Sequence, residues 1–221
     1  MLKTYSNQLE DVTNRVATIA EDIYEANKII LQGLQECNKE VVESAKERLN
    51  NMSSKTVEID NMIVKMLALY SPEAKDLRLV VSFLKITNEL LRASSNTRSF
   101  VKGLSSYCKE LDKDTISEYA IPLQKATVEC LLGIVEMVKT TCSDETQEIF
   151  NRVLISESKT DDLYEILQDH IIKQADQSED FGKFTRILSA LRKSEKIADR
   201  ALDIASLLLF AKIGGEIGLV D

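Results

Sequence analysis

Apolar residues return every third or fourth position along most of this 221-residue chain, the spacing of one face of an α-helix. The pattern predicts six helices. The first spans residues 6–37 and the second 39–70, with a weak point at Asn50–Asn51. The third starts at Ser71–Pro72 and ends near Tyr107. Its inward positions are Leu77, Val80, Val81 and Leu84, and Ser71 and Pro72 form a start signal. The fourth covers 115–142, with Pro122 near its start or kinking it. Ser143–Asp144 is expected to cap the fifth, which reaches Ala175. Residues 177–181 lead into the sixth, which stops before Gly214–Gly215.

Three helices, a polar break at 109–114, and three more of similar length predict an internal repeat. Setting Leu84 against Leu188 aligns Val80 with Phe184, Phe83 with Ile187 and Phe100 with Ile204. The expected architecture is all-α: two tandem three-helix bundles related by pseudo-symmetry, over residues 1–110 and 111–221.

The halves differ in charge. On the sixth helix Phe184, Leu188, Leu191, Ala198, Leu202, Ala205 and Leu209 form an apolar seam, and Glu195 falls within it. Asp199 and Asp203 follow at four and eight residues, each step about 40° further round. In the first half these positions are Leu91, Ser95 and Ser99, which carry no charge. Lys196 and Arg200 are placed to pair with Asp199 and Asp203 at i,i+3. They serve Glu195 less well. The fifth helix adds Glu157 and Asp161, whose first-half equivalents are Ser54 and Glu58. If the two helices pack antiparallel, both pairs meet on one surface. The set is then either a hard-metal site or a salt-bridged face.

Composition narrows the function. Sparse Gly, Pro and aromatics fit long helices. A net charge of −8 argues against nucleic-acid binding. No apolar run reaches membrane-spanning length and the N-terminus lacks a signal region, so a cytoplasmic location is expected. Cys37, Cys108, Cys130 and Cys142 are scattered and read as buried free thiols. His170 is alone, with Leu167 where a ferritin-like E-x-x-H motif needs Glu, and reads as an ordinary helix residue. No nucleophile triad or phosphate loop is present, so no catalytic residue is expected.

Three segments carry a family likeness. S-P-E-A-K-D-L-R-L-V-V (71–81) resembles the P-x-A-x-D-L-R segment of the PhoU family. E-K-I-A-D-R-A-L-D-I (195–204) resembles the E-R-I-G-D segment that ends each family repeat, and E-S-K-T-D (157–161) is similar to its D-x-x-x-D element. The resemblance implies a non-enzymatic regulator of phosphate uptake and phosphate-starvation signalling. It would act as an adaptor on the ATPase subunit of the phosphate ABC transporter and on its sensor histidine kinase, as a homodimer that meets the membrane only through partners. It also implies a multinuclear iron, zinc, manganese or magnesium site. Leu91, Ser95 and Ser54 break the first-repeat pattern, which leaves Glu157, Asp161, Glu195, Asp199 and Asp203 in the second repeat only. Alternatives are an accessory protein of another, low-affinity phosphate or ion transporter, and a carboxylate-bridged metal enzyme.

Overall fold

The computed structural model describes residues 2–107, 112–175 and 181–214. The polar break at 109–111 with the expected 110/111 boundary, Cys108, the lead-in at 177–180 and Gly215 all lie outside them. Every regular element among the described residues is helical.

Helix α1 (Leu2–Gln35) is followed by α2 (Lys39–Ser44), whose first turn is capped by the Asn38 side chain accepting from the Glu40 and Val41 N–H groups. A 3₁₀ segment (Ala45–Leu49) and Asn51, left-handed at φ 60, separate α2 from α3 (Met52–Tyr70). The Asn50–Asn51 weak point is therefore a real break. Helix α4 runs Ala74–Tyr107. Ser71 does not cap it. Ser71 has φ 45 and terminates α3, while the Glu73 carbonyl accepts the first helical bond from Leu77 N–H.

In the second half a short α5 (Lys113–Thr115) passes through a π turn (Ile116–Ala120) into α6 (Ile121–Lys139). The π turn resolves the proline. Ile121 N–H bonds to the Ile116 carbonyl, so the register slips one residue immediately before Pro122, which has no N–H to place. Helices α7 (Ser143–Ala175) and α8 (Phe181–Ile213) complete the chain. The α7 start also differs from expectation: the Cys142 carbonyl takes the first helical bond, from Thr146, so Ser143 is already inside the helix. Gly214, at φ 91, ends α8 in the conformation that favours glycine.

Cross-contacts fix the directions. Thr87 bonds Asp60, Gln124 bonds Asn27, and Arg200 pairs with Glu89. Helices α3 and α4, α1 and α6, and α4 and α8 are thus antiparallel neighbours, while Asn27 to Thr97 sets α1 parallel to α4. Two three-helix bundles join through α1, α4, α6 and α8, with α3 and α7 on the outside. Phe83, Phe100, Ile23, Leu90, Leu131, Ile134, Ile197 and Leu208 fill one continuous core. Backbones touch where side chains vanish: a Cβ on Gly133 would lie 2.3 Å from Val153 Cγ2, and one on Gly103 2.5 Å from Ala190 Cβ.

Fully buried polar groups sit where the halves meet. Gln124 Nε2 donates to the Asn27 carbonyl and to Asn27 Oδ1, Asn27 Nδ2 donates to Thr97, and Ser194 Oγ donates to Gln124 Oε1 while contacting Thr127. Under the Leu84/Leu188 register, Thr97 matches Ala201 and Ser194 matches Leu90. The polar network has no such counterpart on the far side of the pseudo-axis.

Burial corrects two expectations. Leu77 is 41% exposed rather than inward. Of the thiols, Cys130 is buried, but Cys37 and Cys142 are exposed because both stand at helix ends. His170 stacks on Tyr119 with ring centroids 4.5 Å apart and contacts Thr115 and Gln174. Among the described residues its partners are those of a packed helix residue.

Candidate functional site

Helix α8 is central, packed on α4, α6 and α7, so its buried arc is wider than one seam. Ser194, Ile197, Ala201, Ile204 and Leu208 are fully buried, whereas Phe184, Leu188 and Leu209 are only partly so. The arc is centred to one side of the expected seam. Glu195 therefore stands at its margin, next to α7, and keeps 14% side-chain exposure.

Helices α7 and α8 are antiparallel, which brings the i,i+4 carboxylates of α7 against those of α8. One oxygen each from Glu157, Asp161 and Asp199 lies within 4.8 Å of the others. Glu195 and Asp203 flank this trio. Lys196 Nζ donates to Asp199 Oδ2 at 3.0 Å and reaches Glu195 Oε1 at 3.3 Å. The other Glu195 oxygen, Oε2, is buried with no hydrogen-bond partner. Arg200 Nη1 bonds Asp203 Oδ2 at 2.7 Å and Glu89 Oε2 on α4 at 3.0 Å. Both i,i+3 pairs foreseen for Lys196 and Arg200 are present.

The charges remain unequal, with five carboxylates against two cations along the strip. Burial, then Asp161, Asp199, Glu195 and Asp203, push Glu157 from 4.5 up to about 7. Burial and then Asp199 raise Asp161 and Glu195, with Lys196 opposing. Burial raises Asp203 against the pull of Arg200. Glu157, Asp161, Glu195 and Asp203 thus lie above their ordinary range, first through burial and then through their acidic neighbours.

Sequence reasoning missed Glu89. It faces Arg200 across the α4–α8 contact and also takes Arg92, so it clamps the edge of the strip to the first half. No signal within one helix could have found it, because only the antiparallel packing of α4 on α8 sets residue 89 opposite 200. At the equivalent first-half face Glu58 pairs with Arg15 at 3.3 Å, while Ser54, Ser95 and Ser99 are exposed.

The family model described as the PhoU domain matches residues 13–102. A relative from Aquifex aeolicus, a "phosphate-specific transport system accessory protein PhoU homolog", is 27% identical over 95 residues, covering 43% of either chain. A relative of the same description from Pseudomonas aeruginosa is 20% identical over 96% of this chain and 87% of its own. The crystal structure of PhoU from Pseudomonas aeruginosa superposes with a TM-score of 0.82 at 18% identity, covering 96% of this chain and all of that one. That of the phosphate transport system regulatory protein PhoU from Streptococcus pneumoniae gives 0.77 at 19% identity, covering 98% and 99%.

Residues 13–102 match the PhoU domain, and the chain as a whole is similar to PhoU proteins. Its all-helical tandem fold is the PhoU fold over nearly its whole length. The family model matches the first half of the chain, whereas the carboxylate strip lies in the second. No described helix is long and apolar enough to cross a membrane.

Proposed function

We propose that this chain is a PhoU protein and a non-enzymatic regulator of phosphate transport. It acts by docking on the ATPase subunit of a phosphate ABC transporter and on the sensor kinase of the starvation response, as a homodimer inside the cell. The observation that carries this reading is the full-length PhoU fold joined to the PhoU domain at 13–102. Its relatives are named as accessory or regulatory proteins of phosphate transport, which supports the same reading. Deleting the gene is expected to derepress starvation genes or change phosphate uptake, and tagged protein is expected to co-purify with the transporter ATPase. Unaltered uptake and expression together with no such co-purification would sink it.

The second half is further proposed to hold a hard divalent cation between α7 and α8. The residues fit. Glu157, Asp161 and Asp199 supply close oxygens, and the partnerless Glu195 Oε2 leaves a buried acceptor beside them. An all-oxygen set suits magnesium, manganese or iron better than zinc, which favours nitrogen and sulfur. Bound there, the ion would supply positive charge that the strip lacks, and Glu195 and Asp203 would support the three ligands. Elemental analysis of native protein, repeated on Asp199→Asn, tests it: metal content that the substitution leaves unchanged would remove the site.

A further inference from the structure

On α8, roughly 160° round from Glu195, lies a surface of opposite sign. Lys102, Gly103, Ser99 and Ser106 of α4 face Arg186, Ser189, Ala190 and Lys193 of α8 across an open cleft of about 330 Å³. No carboxylate among the described residues lines it. Among the described residues the side chains of Lys102, Lys193 and Ser189 make no hydrogen bond or ion pair, whereas Arg186 has a partner. Lys28, Lys39, Lys55, Lys139 and Lys196, by contrast, each find a carboxylate.

The helix crossing builds the cleft. Gly103 lies against Ala190 so closely that a Cβ would clash, which makes the floor backbone and small side chains. The lysines rise from opposite helices as its walls. An anion entering between their ammonium groups would be attracted from both sides. The hydroxyls of Ser99 and Ser106 rest on backbone carbonyls of their own helix, at 3.0 and 2.9 Å, and can rotate toward a guest, while Ser189 already has its hydroxyl to give. Charged nitrogens from two sides with short hydroxyls between them form a lining whose every side-chain polar group can donate. It suits a compact oxyanion that accepts from every direction.

We propose that this α4–α8 cleft binds a phosphoryl oxyanion, held between Lys102 and Lys193 and hydrogen-bonded by the cleft serines. The proposal stands on the cleft alone, independent of the transport reading and of the carboxylate strip. The ligand is the dianion, either free inorganic phosphate or a small phosphomonoester. Binding across α4 and α8 joins the two halves of the molecule at a point where no salt bridge does so among the described residues.

The test is a titration of the full chain with inorganic phosphate, followed by amide NMR shifts and calorimetry at constant ionic strength. Chloride is the ionic-strength control, and ethyl phosphate is the monoester arm. Saturable shifts confined to the amides of residues 99–106 and 186–193 are expected with phosphate and not with chloride. Lys102→Ala combined with Lys193→Ala should weaken binding at least tenfold, while Lys125→Ala, an exposed lysine outside the cleft, should leave it unchanged. Ser189→Glu places a carboxylate in the cleft without touching the core, and should abolish binding if the double variant does not fold. Tighter binding of ethyl phosphate than of phosphate would assign the site to an ester. Shifts reproduced by chloride, or unchanged in both cleft variants, would overturn the proposal.

Discussion

Glu157→Gln isolates the electrostatic cost of the α7–α8 strip. The fold raises Glu157 from 4.5 to about 7, first by burial and then through its acidic neighbours. The folded chain therefore holds this proton more tightly than the unfolded chain does. Below pH 4.5 both states are protonated and no penalty exists. Between 4.5 and about 7 the unfolded chain ionises first, and the fold loses stability as pH rises. Above about 7 the penalty is complete. At 1.36 kcal/mol per tenfold, the ceiling is roughly 3 kcal/mol. Glu157 is only half-buried, and solvent screening brings this to about 1 kcal/mol. In chelator-treated protein Glu157→Gln should thus be more stable than the parent by about 1 kcal/mol at pH 8 and equal to it at pH 4. For a chain of this size that is a Tm rise of about 2–4 °C. Urea unfolding at both pH values, with unchanged m, is the assay. A gain of equal size at both pH values, or a loss at pH 8, would refute the electrostatic account. Magnesium or manganese added at pH 8 should stabilise the parent and leave the variant nearly unmoved.

Other perturbations probe separate parts of the fold. Gly133→Ala forces a methyl to within 2.3 Å of the buried, stiff Val153 side chain, and overpacking should cost about 1–3 kcal/mol in urea unfolding. Gln124→Leu removes the hub of the buried network and strands Asn27 and Ser194; about 1–3 kcal/mol should be lost, and Ser194→Ala in that background should recover part of it in a double-mutant cycle. Asp112 accepts from both the N–H and the hydroxyl of Thr115 and lies near 2, those bonds and one from Gln174 outweighing the opposing effect of burial. Its contribution is present above pH 3.8 and fades as pH falls through about 2, so Asp112→Asn should cost about 1 kcal/mol at pH 7 and progressively less in acid titration of stability. Arg200→Ala leaves Glu89 and Asp203 without their shared cation, and should destabilise the protein more at pH 8 than at pH 4.

Local features could be read from the chain where they depend on local spacing. Asn50–Asn51 breaks a helix because left-handed backbone is tolerable at Asn51, and Gly214 ends α8 for a related reason. The i,i+3 pairs of Lys196 and Arg200 follow from the helix repeat alone. The caps were less legible, because Ser71 and Ser143 carry capping side chains while the backbone starts α4 and α7 one or two residues away.

The sequence by itself determined that this protein is helical, doubled, and acidic on one face of its last helix, since periodicity and i,i+4 spacing are properties of a single helix. Only the tertiary structure decided how α8 is turned within the molecule. Three helices pack on it, so the buried arc centres on Ile197, Ala201 and Ile204, and Glu195 moves to the rim, one oxygen held by Lys196 and the other unpaired. The grouping of Glu157, Asp161 and Asp199, the Glu89 clamp and the basic cleft likewise required antiparallel neighbours. Each joins residues of two helices at least 38 positions apart, and no repeat within one helix can specify which helices meet.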